Sequence, residues 1–181
     1  MTAARHVGRA GWKIGLATLL LVFARAAVAE DVACGAATRI VREVVETMAR
    51  TARDESTHLR GLVRTGWDAV YDDLVVVQSF RVGECRPASD PSRKRVAVRY
   101  QVLGRLVGEG AGARYRFTPG RRTEATTFEV LPAAEGSWMV DDIAWLEPHV
   151  DRAYAIGILT ELANTDRRRA KAYRQIIRGL R

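Results

Sequence analysis

"EGSWMVDDIAWLEPH", Glu135 to His149, sets two adjacent aspartates between two tryptophans. The stretch reads as the last strand of a sheet. On a strand, neighbouring side chains point to opposite faces. Asp142 then shares a face with Trp138, Val140 and Ala144, while Asp141 joins Met139, Ile143 and Trp145. The two carboxylates cannot converge on one substrate, which excludes chemistry that needs a cooperating pair. At most one of Asp141 and Asp142 is a catalytic candidate. Two readings of that residue stay open: a general base whose pKa burial raises, or a structural carboxylate that accepts loop hydrogen bonds or pairs with an arginine.

Upstream the same period recurs. "DLVVVQSFRVGEC" from Asp73 is strand-like, and "RVAVRYQVLGRLV" alternates, with Val96, Val98, Tyr100 and Val102 on one face and Arg99, Gln101 and Arg105 on the other. "ASDPS" between them is turn chemistry. "ARYRF", "TEATTFEVL" and "GSWMVDDIAWL" follow, parted by "TPGRR" and "PAAEG". Five β-runs joined by short Gly/Pro turns predict an antiparallel meander.

Before the strands the spacing is helical. Ala37, Ile40, Val41, Val44, Val45, Met48 and Ala52 form one apolar stripe. Leu59, Leu62, Val63, Trp67, Val70, Tyr71 and Leu74 form a second, and the charged "RTARDES" between them predicts a helical hairpin. From Val150 another helical region begins. Tyr154, Ile158, Leu159 and Leu162 line one stripe, "ANTD" interrupts it, and Ala170, Tyr173, Ile177 and Leu180 resume it, with Thr165 or Asp166 as N-cap.

The N-terminus indicates a compartment. Arg5, Arg9 and Lys13 precede the apolar run Ile14–Ala24, and "AVA" puts Ala27 and Ala29 at the small-residue spacing of a cleavage site. Eleven apolar residues closed by Arg25 fall short of the ~20 that span a bilayer. The expectation is a cleavable export signal over residues 1–29 and a periplasmic protein. The chain carries +8; removing four bases and no acid leaves +4. Of the 29 bases only 3 are lysine. Cys34 and Cys85 are the two cysteines. In an oxidising compartment they predict one disulfide. The competing reading, a lipidated Cys34, sits poorly with Glu30 and Asp31 just ahead of "VAC".

Helices, then a meander ending in "GSWMVDDIAW", resemble the nuclear transport factor 2-like (cystatin-like α+β cone) superfamily, in particular its small exported members. The matching positions are Gly136, Trp138, Val140, Asp142 and Ile143, within roughly 36–146. The resemblance implies an α+β fold: an N-terminal helical hairpin packed on a curved antiparallel sheet of about five strands, here in residues 30–148. The C-terminal helices, 149–181, extend beyond it. It also implies a cavity between sheet and helices, with Trp67, Tyr71, Tyr100 and Trp138 as candidate ligand-lining residues. In enzymatic branches (ketosteroid isomerase-like, dehydratase-like, epoxide hydrolase-like) that cavity holds Asp, Tyr, His or Arg, but a fold does not by itself confer chemistry.

The remaining motifs argue against specific chemistries. His58 and His149 stand alone at element ends, which suits surface or capping groups; no metal-ligand spacing occurs, and no cofactor is expected. Ser56, Ser79, Ser89, Ser92 and Ser137 lie in no nucleophile-elbow context, and "GEGAG" is a turn without the setting of a phosphate loop. Residues 166–181 hold seven bases (Arg167, Arg168, Arg169, Lys171, Arg174, Arg178 and Arg181) against Asp166. Two readings fit this basic surface: an amphipathic helix on an anionic membrane, or a helix whose stripe packs on the sheet with its arginines solvated. Export excludes nucleic acid as a partner. The combined expectation is a non-catalytic exported domain that binds a small apolar ligand or an envelope protein. The alternatives are an acid–base isomerase or dehydratase using one aspartate, and a periplasmic lipid-binding protein similar in layout to the toluene-tolerance lipid-shuttle family.

Overall fold

A computed structural model describes residues 11–50, 59, 61–65, 73–108, 114–144 and 146–181, with the backbone alone at 11–29 and 135. Helix α1 is Gly11–Arg50; the strands are β1 (Val63–Thr65), β2 (Leu74–Pro87), β3 (Lys94–Gly108), β4 (Tyr115–Pro132), β5 (Trp138–Asp142) and β6 (His149–Asp151). Two helices close the chain, α2 (Arg152–Thr165) and α3 (Ala170–Leu180). The sheet order is β1-β5-β4-β3-β2-β6. β2, β3, β4 and β5 pair antiparallel as the alternation predicts, but both edge strands, β1 on β5 and β6 on β2, are parallel. The fold is therefore α+β with a curled, mixed, six-stranded half-barrel in place of a five-stranded antiparallel meander.

The curl has a local cause. β2 breaks register at Val76/Val77, Val77/Ser79 and Val82/Cys85, and the β3–β4 ladder breaks at Val102/Gly104. Each bulge bends its strand and adds twist. Bulges also change which face an apolar side chain takes. Val96, Val98, Tyr100 and Val102 point to the concave core, whereas Leu106, beyond the break, joins the convex one. Gly104 makes the break possible: a Cβ there would lie 2.5 Å from Thr118 O and 2.6 Å from the Phe117 ring.

"TPGRR" is not a turn. It runs inside β4, where Pro119 faces Gly104 and Arg122 faces Val102. β5 pairs only with Val130–Pro132, so this half of β4 has a free side, where a proline lacking its N–H is tolerated. "PAAEG", by contrast, does turn the chain, through a short 3-10 segment Ala134–Gly136 that ends at positive φ on Gly136.

The helix expected over 59–74 does not form at its described ends. Gly61 has φ of 87°, Val63–Thr65 is β1, and Leu74 opens β2. Pairing with β5 outweighs the helical spacing: Leu62 O accepts from Val140 N, and Thr65 O from Ile143 N. Trp67, Val70 and Tyr71 lie outside the described residues. The first stripe is helical as read, with Ala37, Val41, Val44, Val45 and Met48 buried in the hollow of the sheet. The Cys34–Cys85 disulfide ties α1 to β2. Lys94, almost fully buried, reaches Glu30 with Nζ 2.8 Å from Oε1.

On the convex side, α2 and α3 bury Ala155, Ile158, Leu159, Leu162, Tyr173, Ile177 and Leu180 against Leu74, Val76, Leu106 and Tyr115. Asp151 caps α2 by accepting from Tyr154 N at 2.6 Å. Asp166 organises the turn before α3, accepting from Arg168 N (3.1 Å) and Arg169 N (3.3 Å).

Candidate functional site

The expected cavity lies where α1 meets the sheet, and among the described residues packed side chains line that space. Val41, Val44, Val98, Phe128 and Val130 have no or almost no exposed surface. Tyr100 is part of this core, and Trp138 is partly buried against it. Trp67 and Tyr71 fall outside the described residues. Such packing is that of a protein interior.

The strand through the two aspartates ends at Asp142, so Ile143 and Leu146 enter the core as loop residues rather than strand residues. Asp141 is mostly buried between two arginines. It accepts a short hydrogen bond from Arg64 and a second, at 2.8 Å, from Arg93 Nη1. Asp142 instead accepts from Ala144 N at 2.8 Å, turning the chain after β5. The carboxylates use separate partners, in keeping with opposite faces of a strand. These contacts match the structural reading of each: one links β1 and the β2–β3 turn to β5, and the other caps a bend.

His149 is not a surface group. It lies in β6 with its side chain 6 % exposed, reaching through the concave side toward β4. Tyr100 stacks on its ring at a centroid distance of 4.1 Å. Nδ1 donates to Glu147 O at 2.8 Å, and Nε2 lies 3.2 Å from Glu124 Oε2, donating to it when the ring is protonated. Arg122 Nε donates to the other Glu124 oxygen at 2.7 Å. Burial raises the Glu124 carboxyl, but the hydrogen bonds from His149 and Arg122 outweigh it and leave the group below its ordinary range. Burial first, then the Glu124 charge, push the Tyr100 hydroxyl above its ordinary range. Both imidazole nitrogens are engaged, so the cluster acts as a clasp between β6 and β4. Sequence reading missed it because Tyr100, Glu124 and His149 sit on three strands and share no local motif.

The basic segment is held by its apolar side. Tyr173, Ile177 and Leu180 are buried, so this face packs on the core. Arg167 in the preceding turn, then Lys171, Arg174 and Arg178, follow at four-, three- and four-residue steps and are all exposed. Lys171, Arg174 and Arg178, so spaced, lie on one face of α3. Among the described residues none of these four side chains has a carboxylate partner. Arg168 is exposed beside them, and Arg169 is half-buried. The outcome is a rigid row of positive charge anchored to the sheet. Set against known proteins, the chain matches no family model, no curated protein and no solved structure.

Proposed function

We propose that this chain is an exported, non-catalytic domain of nuclear transport factor 2-like design that docks on an anionic membrane surface of the cell envelope through the basic face of α3. One observation carries the reading: Lys171, Arg174 and Arg178 on α3, with Arg167 in the turn before it, are exposed and without carboxylate partners among the described residues, and the opposite face of α3 is buried in the core. Packing among the described residues under α1 supports surface docking over capture of a small apolar ligand, and Asp141, Asp142 and His149 are each held by hydrogen-bond partners. Each base near an anionic leaflet contributes about 1 kcal/mol. Neutralising two of the four should weaken association about 30-fold.

Vesicle sedimentation tests this. The protein lacking residues 1–29 should sediment with phosphatidylglycerol-containing vesicles and not with phosphatidylcholine alone. Binding should vanish in about 1 M salt, where the screening length falls to about 3 Å. Lys171→Gln/Arg174→Gln should lower binding with an unchanged circular dichroism spectrum. Equal binding to both vesicle types, or full binding by the neutralised variant, refutes the proposal.

A further inference from the structure

The convex face of the sheet carries a second basic feature, away from α3. α2 and α3 cover only the half around Leu74, Val76, Leu106 and Tyr115. Over the other half lies an open groove of about 1180 Å³ crossed by β2, β3 and β4. Its base is formed by small residues, Gly83, Ala97 and Thr127. Gly83 lies close over β3, since a Cβ there would sit 3.3 Å from Ala97 O.

Four arginines and two glutamates line this groove. Arg86 Nη2 is 2.6 Å from Glu84, and Arg95 Nη2 is 2.9 Å from Glu129, so those walls are neutral pairs. Arg81 and Arg99 remain. They are direct cross-strand partners, both exposed, and among the described residues neither has a carboxylate to pair with. Directly opposite residues place their Cβ atoms about 5 Å apart, and like charges there are destabilising. A sheet that sets two uncompensated guanidinium forks side by side over a small-residue floor presents the complement of one doubly charged oxyanion.

We propose that Arg81 and Arg99 form a binding site for a phosphate-type dianion, with both guanidinium groups donating to its oxygens in the groove over Gly83, Ala97 and Thr127. The ligand is a phosphate monoester or inorganic phosphate. Neutral pairs on either wall set the specificity: a monoanion leaves one arginine uncompensated, and a longer polyanion meets Glu84 and Glu129. The site is independent of the membrane face, which uses other residues.

Thermal unfolding of the protein lacking residues 1–29 provides the test, in inorganic phosphate, glycerol phosphate or chloride at matched ionic strength. Phosphate at about tenfold its dissociation constant should raise the midpoint by about 3–5 °C over chloride. Arg81→Gln and Arg99→Gln should each remove that increment and each raise the midpoint measured in chloride, because the like-charge pair is relieved. Lys171→Gln/Arg174→Gln should keep the increment. Glycerol phosphate acting as well as inorganic phosphate identifies a monoester ligand; inorganic phosphate alone identifies the free ion. No phosphate-specific increment in the unmodified chain overturns the proposal, as does an increment that survives in Arg81→Gln/Arg99→Gln. Loss in the Lys171/Arg174 variant instead also overturns it. Vesicle binding that fails while the increment persists rejects the membrane reading alone.

Discussion

Breaking the link between α1 and β2 gives the sharpest stability test. Cys34 and Cys85 are 51 residues apart. In the chain-entropy model a loop of that length removes about 14 cal/mol/K from the unfolded chain, or about 4 kcal/mol at 25 °C. Native domains are stable by about 5–15 kcal/mol, so the loss is a large fraction of the whole. With a urea slope of about 2 kcal/mol/M, the midpoint should fall by about 2 M. Cys34→Ser, Cys85→Ser and the double variant should share one midpoint, because each removes the same bond and the effects cannot add. Equilibrium urea unfolding followed by tryptophan fluorescence measures this. A fall below about 0.5 M, or a double variant clearly weaker than both singles, would refute the reasoning. Either result would mean that Val41, Val44 and Met48 hold α1 in the hollow without help, or that the two thiols stabilise separately.

Gly104→Ala should cost about 1–3 kcal/mol in urea unfolding, since the new methyl meets backbone and ring atoms that cannot withdraw without moving β4. Gly157→Ala, on the exposed side of α2 with nothing within 4 Å, should instead stabilise by up to about 1 kcal/mol. The Glu124 clasp has a pH signature. Its carboxyl is lowered in the folded chain, so its contribution is complete above the unfolded value near 4.5 and is lost as pH falls through the lower folded value. Glu124→Gln should be less stable at neutral pH and should lose less stability on acidification below about pH 4.5, read from thermal midpoints along a pH series.

Much of the architecture was legible because periodicity reports which side of an element is buried. The Ala37–Met48 stripe, the alternation of Val96 to Val102 and the interruption before α3 all survive in three dimensions. The disulfide was expected from an even cysteine count and a proposed oxidising compartment. β1 and β6 escaped because three residues cannot display a period, and Val63 also fits a helical spacing. Pro119 and Gly120 carry strong turn signals, yet they sit at a bulge on a half-free strand, where the ladder does not need the missing N–H. That Asp141 and Asp142 would not share one partner was readable from strand geometry alone. Their partners Arg64 and Arg93 were not, because 77 and 48 residues of chain intervene.

Glu30, whose oxygens hold the enclosed ammonium of Lys94, directly follows Ala29. Scission at that peptide bond retains the counter-ion as the new first residue. A cut one bond further along discards it and strands a cation among apolar neighbours, which typically costs several kcal/mol. Under the proposed export, a chain shortened by one residue too many would therefore be loosened at its amino end.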